Sequence, residues 1–125
     1  HTIALRHPNG SMGMRFDYGG RSFVHLTDHE HSEDCAASIE EFCRGAEVLS
    51  LDTMFTPEDY AGHVGWGHSH WGHAVDICEK AAVRRLVLFH HNPDYNDEKL
   101  DEIHAAVCAR FPEAVMAREG LEIEL

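Results

Sequence analysis

At 125 residues the chain is one domain's worth or less, and with 43% hydrophobic residues it can bury a core, which excludes wholesale disorder. Acidic residues outnumber basic ones 22 to 10, a formal charge of −12. Such a surface repels phosphate backbones and argues against a nucleic-acid partner. It leaves an anionic small molecule open, because bound divalent cations reverse the sign locally. No apolar run approaches the roughly 20 residues needed to cross a bilayer, and no signal-peptide pattern is present. The first residue is His1 rather than Met, as in a processed or excised piece. Cys35, Cys43, Cys78 and Cys108 are scattered without a CxxC pair and read as reduced core thiols, which points to the cytoplasm.

The first half of the chain reads as strands around a hairpin. Thr2–Arg6 has the pattern of a strand running into His7, and Pro8-Asn9-Gly10 is a turn signal. Residues 12–18 and 21–27 flank Gly19-Gly20 as a hairpin, and the second ends abruptly in Thr27-Asp28-His29-Glu30-His31. Ser32 is placed to cap a helix with Glu33 and Asp34 in its first turn, Cys35, Ala36, Ile39, Phe42 and Cys43 on its apolar face, and Gly45 at its end. Residues 47–51 then form a short buried strand ending at Asp52.

The second half alternates helix and strand. Thr56-Pro57-Glu58-Asp59 starts a short helix, and a glycine-rich loop follows from Gly62 to Gly67, carrying His63 and Trp66. GHSHWGHA opens a helix to about Ala82, and residues 84–89 form an apolar strand ending in His90-His91-Asn92-Pro93. Asn96 caps a last helix to about Arg110, and residues 114–116 and 121–125 read as closing strands. This alternation predicts an α/β layer structure, and the early hairpin makes its sheet mixed.

Four strands therefore end in candidate ligands: His7, Asp28, Asp52, and His90 or His91. Convergence at one sheet edge is where open α/β folds place their sites. Nitrogen and carboxylate donors without thiolates suit zinc, with iron or manganese as alternatives, in a catalytic site, and one carboxylate can bridge two ions.

The stretches HPNGSMGMRF, FVHLTDHE, LSLDTMFTPEDY, GHSHWGHA and RLVLFHHNP, in this order, resemble the C-terminal half of a metallo-β-lactamase-fold hydrolase, in the branch of the phosphodiesterases and ribonuclease Z. The resemblance implies half of an αββα sandwich, a mixed sheet with helices on one face, and two divalent transition-metal ions. It implies His7 and His90 as ligands of separate metals and Asp28 as the bridge between them. It further implies that His68, 90 − 68 = 22 positions before His90, donates a proton to the leaving group and that Asp52 orients it, where ribonuclease Z typically has glutamate.

Two departures qualify it. The family's HxHxDH motif does not occur here, so residues 1–125 are expected to hold only the C-terminal half of the domain. The rest would come from an upstream segment, a second chain or another copy. Second, the 28 − 7 = 21 residues from His7 to Asp28 are filled by the hairpin, leaving no room for the tRNA-gripping arm that ribonuclease Z carries there.

Simpler roles stand beside these. Asp28 also suits a turn before the Ser32 helix, His7 a loop, and His68 an exposed helix start. His90 and His91 face opposite sides of a strand, so one of them is a ligand and the other at most supports it. His29 and His31 read as exposed loop residues, His29 with a supporting role as the alternative. His25 reads as a satisfied sheet histidine. His70 and His73 sit three apart on a helix face, with His70 a candidate for substrate contact, and Trp66 either lines a substrate pocket or covers the core. The expected protein is a metal-dependent hydrolase, a phosphodiesterase on a small phosphodiester. The alternatives are another ester, lactone or amide hydrolase on the same metals, or a non-catalytic partner fragment.

Overall fold

The computed structural model describes residues 1–125. β1 (Thr2–Leu5), β2 (Ser11–Tyr18) and β3 (Arg21–Leu26) form an antiparallel meander, turned between β2 and β3 at Gly19-Gly20, both with positive φ. β4 (Val48–Asp52), β5 (Arg85–Phe89) and β6 (Ala114–Met116) then add in parallel, so the six strands lie in sequence order. Each parallel step needs a crossover long enough for a helix. α1 (Glu33–Cys43) joins β3 to β4, the short α2 (Pro57–Tyr60) and α3 (Trp71–Ala81) join β4 to β5, and α4 (Asp97–Arg110) joins β5 to β6.

Strand alternation decides which face is covered. Val24, Leu26, Leu49, Leu51, Leu86 and Leu88 point to one face and form a single core with Ile39 and Cys43 of α1, Val75, Ile77 and Cys78 of α3, and Ile103 and Val107 of α4. All four cysteines are free, and burial pushes the Cys43 thiol up to about 12. No helix is long and apolar enough to cross a membrane.

The opposite face is far less covered. Phe16 pairs with Phe23 and Met14 with His25 across β2 and β3, and Met12, Met14 and Phe16 are exposed. His25 shares a hydrogen bond with Ser50 Oγ at 3.2 Å, so it is the satisfied sheet histidine expected. An apolar row of this kind on a sheet is normally covered by something.

Three local expectations need correcting. Residues 121–125 form no strand. Leu121, Ile123 and Leu125 instead lie over a cavity of about 390 Å³ on the open face, together with Phe23, Val87 and Phe89. Apolar-polar alternation serves a strap across a face as well as an edge strand, and here it sends every second side chain onto the sheet. Ser32 sits at the first cap of α1 without a side-chain cap bond, its hydroxyl meeting Cys35 Sγ at 3.3 Å instead. His70 is the N-cap of α3 rather than part of its face, its Nδ1 accepting the Gly72 N–H at 3.0 Å.

Candidate metal centre

The strand ends converge as the chain order suggested. β3 and β4 deliver Asp28 and Asp52, β5 delivers His90, and the segment before α3 delivers His68. One ligand atom from each lies within 4.8 Å of all the others. Asp28 Oδ1 is 3.2 Å from His90 Nε2 and 3.9 Å from His68 Nδ1, and His68 Nδ1 donates to Asp52 Oδ2 at 2.7 Å.

Only three non-glycine residues have positive φ, and two of them are Asp28 (53°) and His90 (59°). Such backbone is costly away from glycine, although Asp and His tolerate it better than most, and it collects at functional sites. At His90 the left-handed turn breaks strand alternation, sending His90 into the cluster. His91 goes the other way, to the Ala117 carbonyl at 3.0 Å, so it pins the chain after β6 and does not join the site. At Asp28 the turn is held by Ser11 Oγ, which donates to the Asp28 carbonyl at 2.5 Å.

The cluster grades from buried to open. Side-chain exposure is 0% at Asp52, 14% at His68, 34% at His90 and 42% at Asp28. Burial pushes the Asp52 carboxyl up, and the hydrogen bond and charge of His68 oppose that. The Met54 N–H (3.1 Å) and the His29 N–H (3.4 Å) also point at Asp52. His68 thus stands on a fixed, dry base, while Asp28 and His90 face solvent. His90 Nδ1 is buried without a partner. Two carboxylates and two imidazoles meet with no Lys or Arg among them; His68 and Asp52 are engaged with each other, and Asp28 and His90 are left as open donors that fit a divalent cation.

His7 stands just outside the four. Its ring meets His68 edge-on, centroids 5.6 Å apart, and packs so closely on Gly67 that a Cβ there would lie 2.2 Å from His7 Cδ2. His29 is wholly buried rather than exposed. Its Nδ1 accepts the Arg6 N–H at 3.4 Å, and burial, helped by His31, lowers its pKa to about 4. His31 is half-buried, its ring tilted 37° against His73 at 4.3 Å, and His73 meets His70 at 3.7 Å. His70 therefore belongs to a separate histidine group capped by Tyr60. Trp66 is 58% exposed and covers no core.

Glu30 carries no site signal of its own in the sequence. It is 3% exposed, and its carboxylate accepts the N–H groups of Gly65 (2.6 Å) and Gly67 (3.0 Å) and the Tyr60 hydroxyl (2.9 Å). Burial alone would raise its pKa, but these donors outweigh it and the carboxyl lies below its ordinary range. A glycine-rich loop 35 residues away was the only sequence signal, and nothing local tied the two together.

Comparison with known proteins places this geometry. A family model described as a beta-lactamase superfamily domain matches residues 1–91. A curated relative named ribonuclease Z, from Gemmatimonas aurantiaca, is 33% identical over 106 residues, covering 85% of this chain and 32% of the relative. The chain thus spans about a third of the length of the curated relatives it matches. Among solved structures, the metallo-beta-lactamase fold protein YhfI from Bacillus subtilis superposes with a TM-score of 0.77 at 21% identity, covering 96% of this chain and 46% of that one. Human tRNase Z, short form, gives 0.75 at 19% identity, covering 98% and 41%.

These relatives overturn the expectation that the acidic composition argues against nucleic acid, since a protein named ribonuclease Z is similar to this chain in sequence and one named tRNase Z is similar in fold. Net charge describes the whole surface and says little of any one edge: Arg6 stands beside His7 and Glu30 around a cavity of about 280 Å³. With the family model matching residues 1–91 and the solved structure covering 96% of this chain, the chain belongs to the beta-lactamase superfamily and has part of a metallo-beta-lactamase fold.

Proposed function

We propose that this chain carries the C-terminal part of the active centre of a metal-dependent phosphodiesterase. The observation that carries the reading is the double pairing at the sheet edge, Asp28 with His90 at 3.2 Å and Asp52 with His68 at 2.7 Å. Asp28 and His90 would hold divalent metal, with Asp28 as the bridge and His7 joining from the β1 side. Zinc suits these donors best, and iron or manganese also fit. Such ions lower the pKa of a bound water towards ~7 and neutralise phosphoryl oxygens.

The chain's own residues then handle the leaving group. Asp52 takes the His68 Nδ1 proton in its hydrogen bond, which fixes the ring and leaves Nε2 as the atom that gives a proton to the departing oxygen. The openness at Asp28 and His90 is where the phosphodiester enters. The remaining ligands come from parts of the domain that the longer relatives possess and residues 1–125 lack. The exposed row Met12, Met14 and Phe16 and the uncovered sheet face support the packing of that part there.

The ribonuclease Z relatives make an RNA phosphodiester the first substrate to test. A small phosphodiester is the second reading, favoured by the bare two-residue turn at Gly19-Gly20, since nothing but β2 and β3 lies between Ser11 and Leu26. The test uses full-length, metal-loaded protein on a tRNA precursor and on bis(p-nitrophenyl) phosphate, beside an ester and a lactone. Hydrolysis of either phosphodiester, abolished by a chelator and restored by zinc or manganese, is the predicted result. Ester or lactone hydrolysis without phosphodiester hydrolysis contradicts the proposal.

A further inference from the structure

Glu30 is a buried carboxylate whose only partners are two loop amides and the neighbouring Tyr60 hydroxyl. The amides belong to Gly65 (φ +91°) and Gly67 (φ +93°), backbone that L side chains rarely adopt, so both N–H groups turn inward towards one charge. The rest of the loop is equally fixed. The His63 N–H donates to the Tyr60 carbonyl at 2.8 Å and the Trp66 N–H to the His63 carbonyl at 3.1 Å. The His63 ring lies flat on buried Phe55, centroids 4.4 Å apart and planes 17° apart, and Phe55 reaches His68 at 6.5 Å. Trp66 stands perpendicular to His63 at 4.7 Å. A rigid loop thus presents a large indole to solvent, two residues before His68 and next to the glycine against which His7 packs.

We propose that Trp66, with His63 behind it, is a preset stacking subsite for a nucleobase flanking the scissile phosphodiester, and that Glu30 positions it. The idea rests on the phosphodiesterase reading and adds the recognition that reading lacks. An aromatic face accepts any base, because every base has a π-face, and stacking on it is worth roughly 1–3 kcal/mol per base. An exposed Trp on a hydrogen-bonded loop, its ring against His63, supplies contact area at little entropic cost. Glu30 acts through the loop rather than on the substrate. Its negative charge, desolvated and bound to backbone N–H groups, is the strong form of hydrogen bond.

The test measures inhibition of full-length, metal-loaded protein by adenosine 5′-monophosphate and by ribose 5-phosphate, which share the phosphate and sugar and differ in the base. Wild type should prefer the nucleotide by about tenfold. Trp66→Ala should remove that preference without weakening ribose 5-phosphate, and Trp66→Phe should keep most of it. Glu30→Gln should lower the preference too, and adding it to Trp66→Ala should lower it no further, a non-additivity that a merely structural role does not give. Equal binding of the two ligands in wild type, or equal weakening of both by Trp66→Ala, overturns the subsite. In that case phosphodiester hydrolysis in the same preparation shows that the enzyme reading survives. If neither ligand binds and no phosphodiester is cleaved, both proposals fall together.

Discussion

Two groups of histidines, joined in sequence where His68 precedes His70 by two residues, have opposite chemistry. His68 and His90 stand with Asp28 and Asp52, while His31, His70 and His73 meet one another and Tyr60 at tilted or perpendicular angles, with Asp76 acting on them only as a neighbouring charge and no carboxylate paired to them. In the first group the carboxylates supply negative charge and fix ring orientation. In the second, burial lowers the pKa of all three rings, and at His73 the neighbouring His70 and His31 help to bring it to about 4. The residue type is the same. The accompanying acid separates a candidate catalytic centre from aromatic packing that happens to be made of imidazole.

Substitution should break this contrast unequally. In full-length protein His68→Ala is expected to lower turnover by about 10²–10⁴-fold with metal content unchanged, as loss of a single general acid does. Full activity in that variant would remove His68 from the mechanism. The next effect is acid destabilisation. His29 and His73 have folded pKa values near 4, below the ordinary 6.5, so the unfolded chain binds more protons. Stability should therefore be complete above about pH 6.5 and fall as pH drops towards 4, by about 3 kcal/mol for the wholly buried His29. Urea melts across that range read it, and a flat profile contradicts neutral burial. Asp52→Asn should cost about 10–100-fold in turnover, the usual effect of losing a partner that orients an active group. The smallest effect belongs to His70→Ser, which keeps an N-cap acceptor for α3. Stability should move by less than about 1 kcal/mol and activity hardly at all, because serine is a preferred cap.

The sequence made the strand ends legible because parallel strands in chain order must carry their C-terminal residues to one edge. Asp28, Asp52 and His90 end or follow three such strands and so group together from chain order alone. The choice of His90 over His91 came from family likeness alone, since the deciding feature is a left-handed backbone turn that residue type does not announce. Glu30 was invisible for a related reason: its partners are backbone amides of a distant loop, and only the fold brings them together. The tail at residues 121–125 misled because the same alternation suits an edge strand and a strap. Charge misled because a net of −12 averages over the surface, while binding depends on the groups at one edge.

Metal stoichiometry of the full-length protein, purified without chelators and compared with its Asp28→Asn variant, tests the central claim most directly. Two equivalents of transition metal per chain are predicted for wild type. The variant should lose metal affinity by more than the roughly 10–100-fold typical of an outer partner. A wild-type protein that binds no metal, or a variant that keeps both ions undiminished, would contradict the assignment of Asp28 as the bridge.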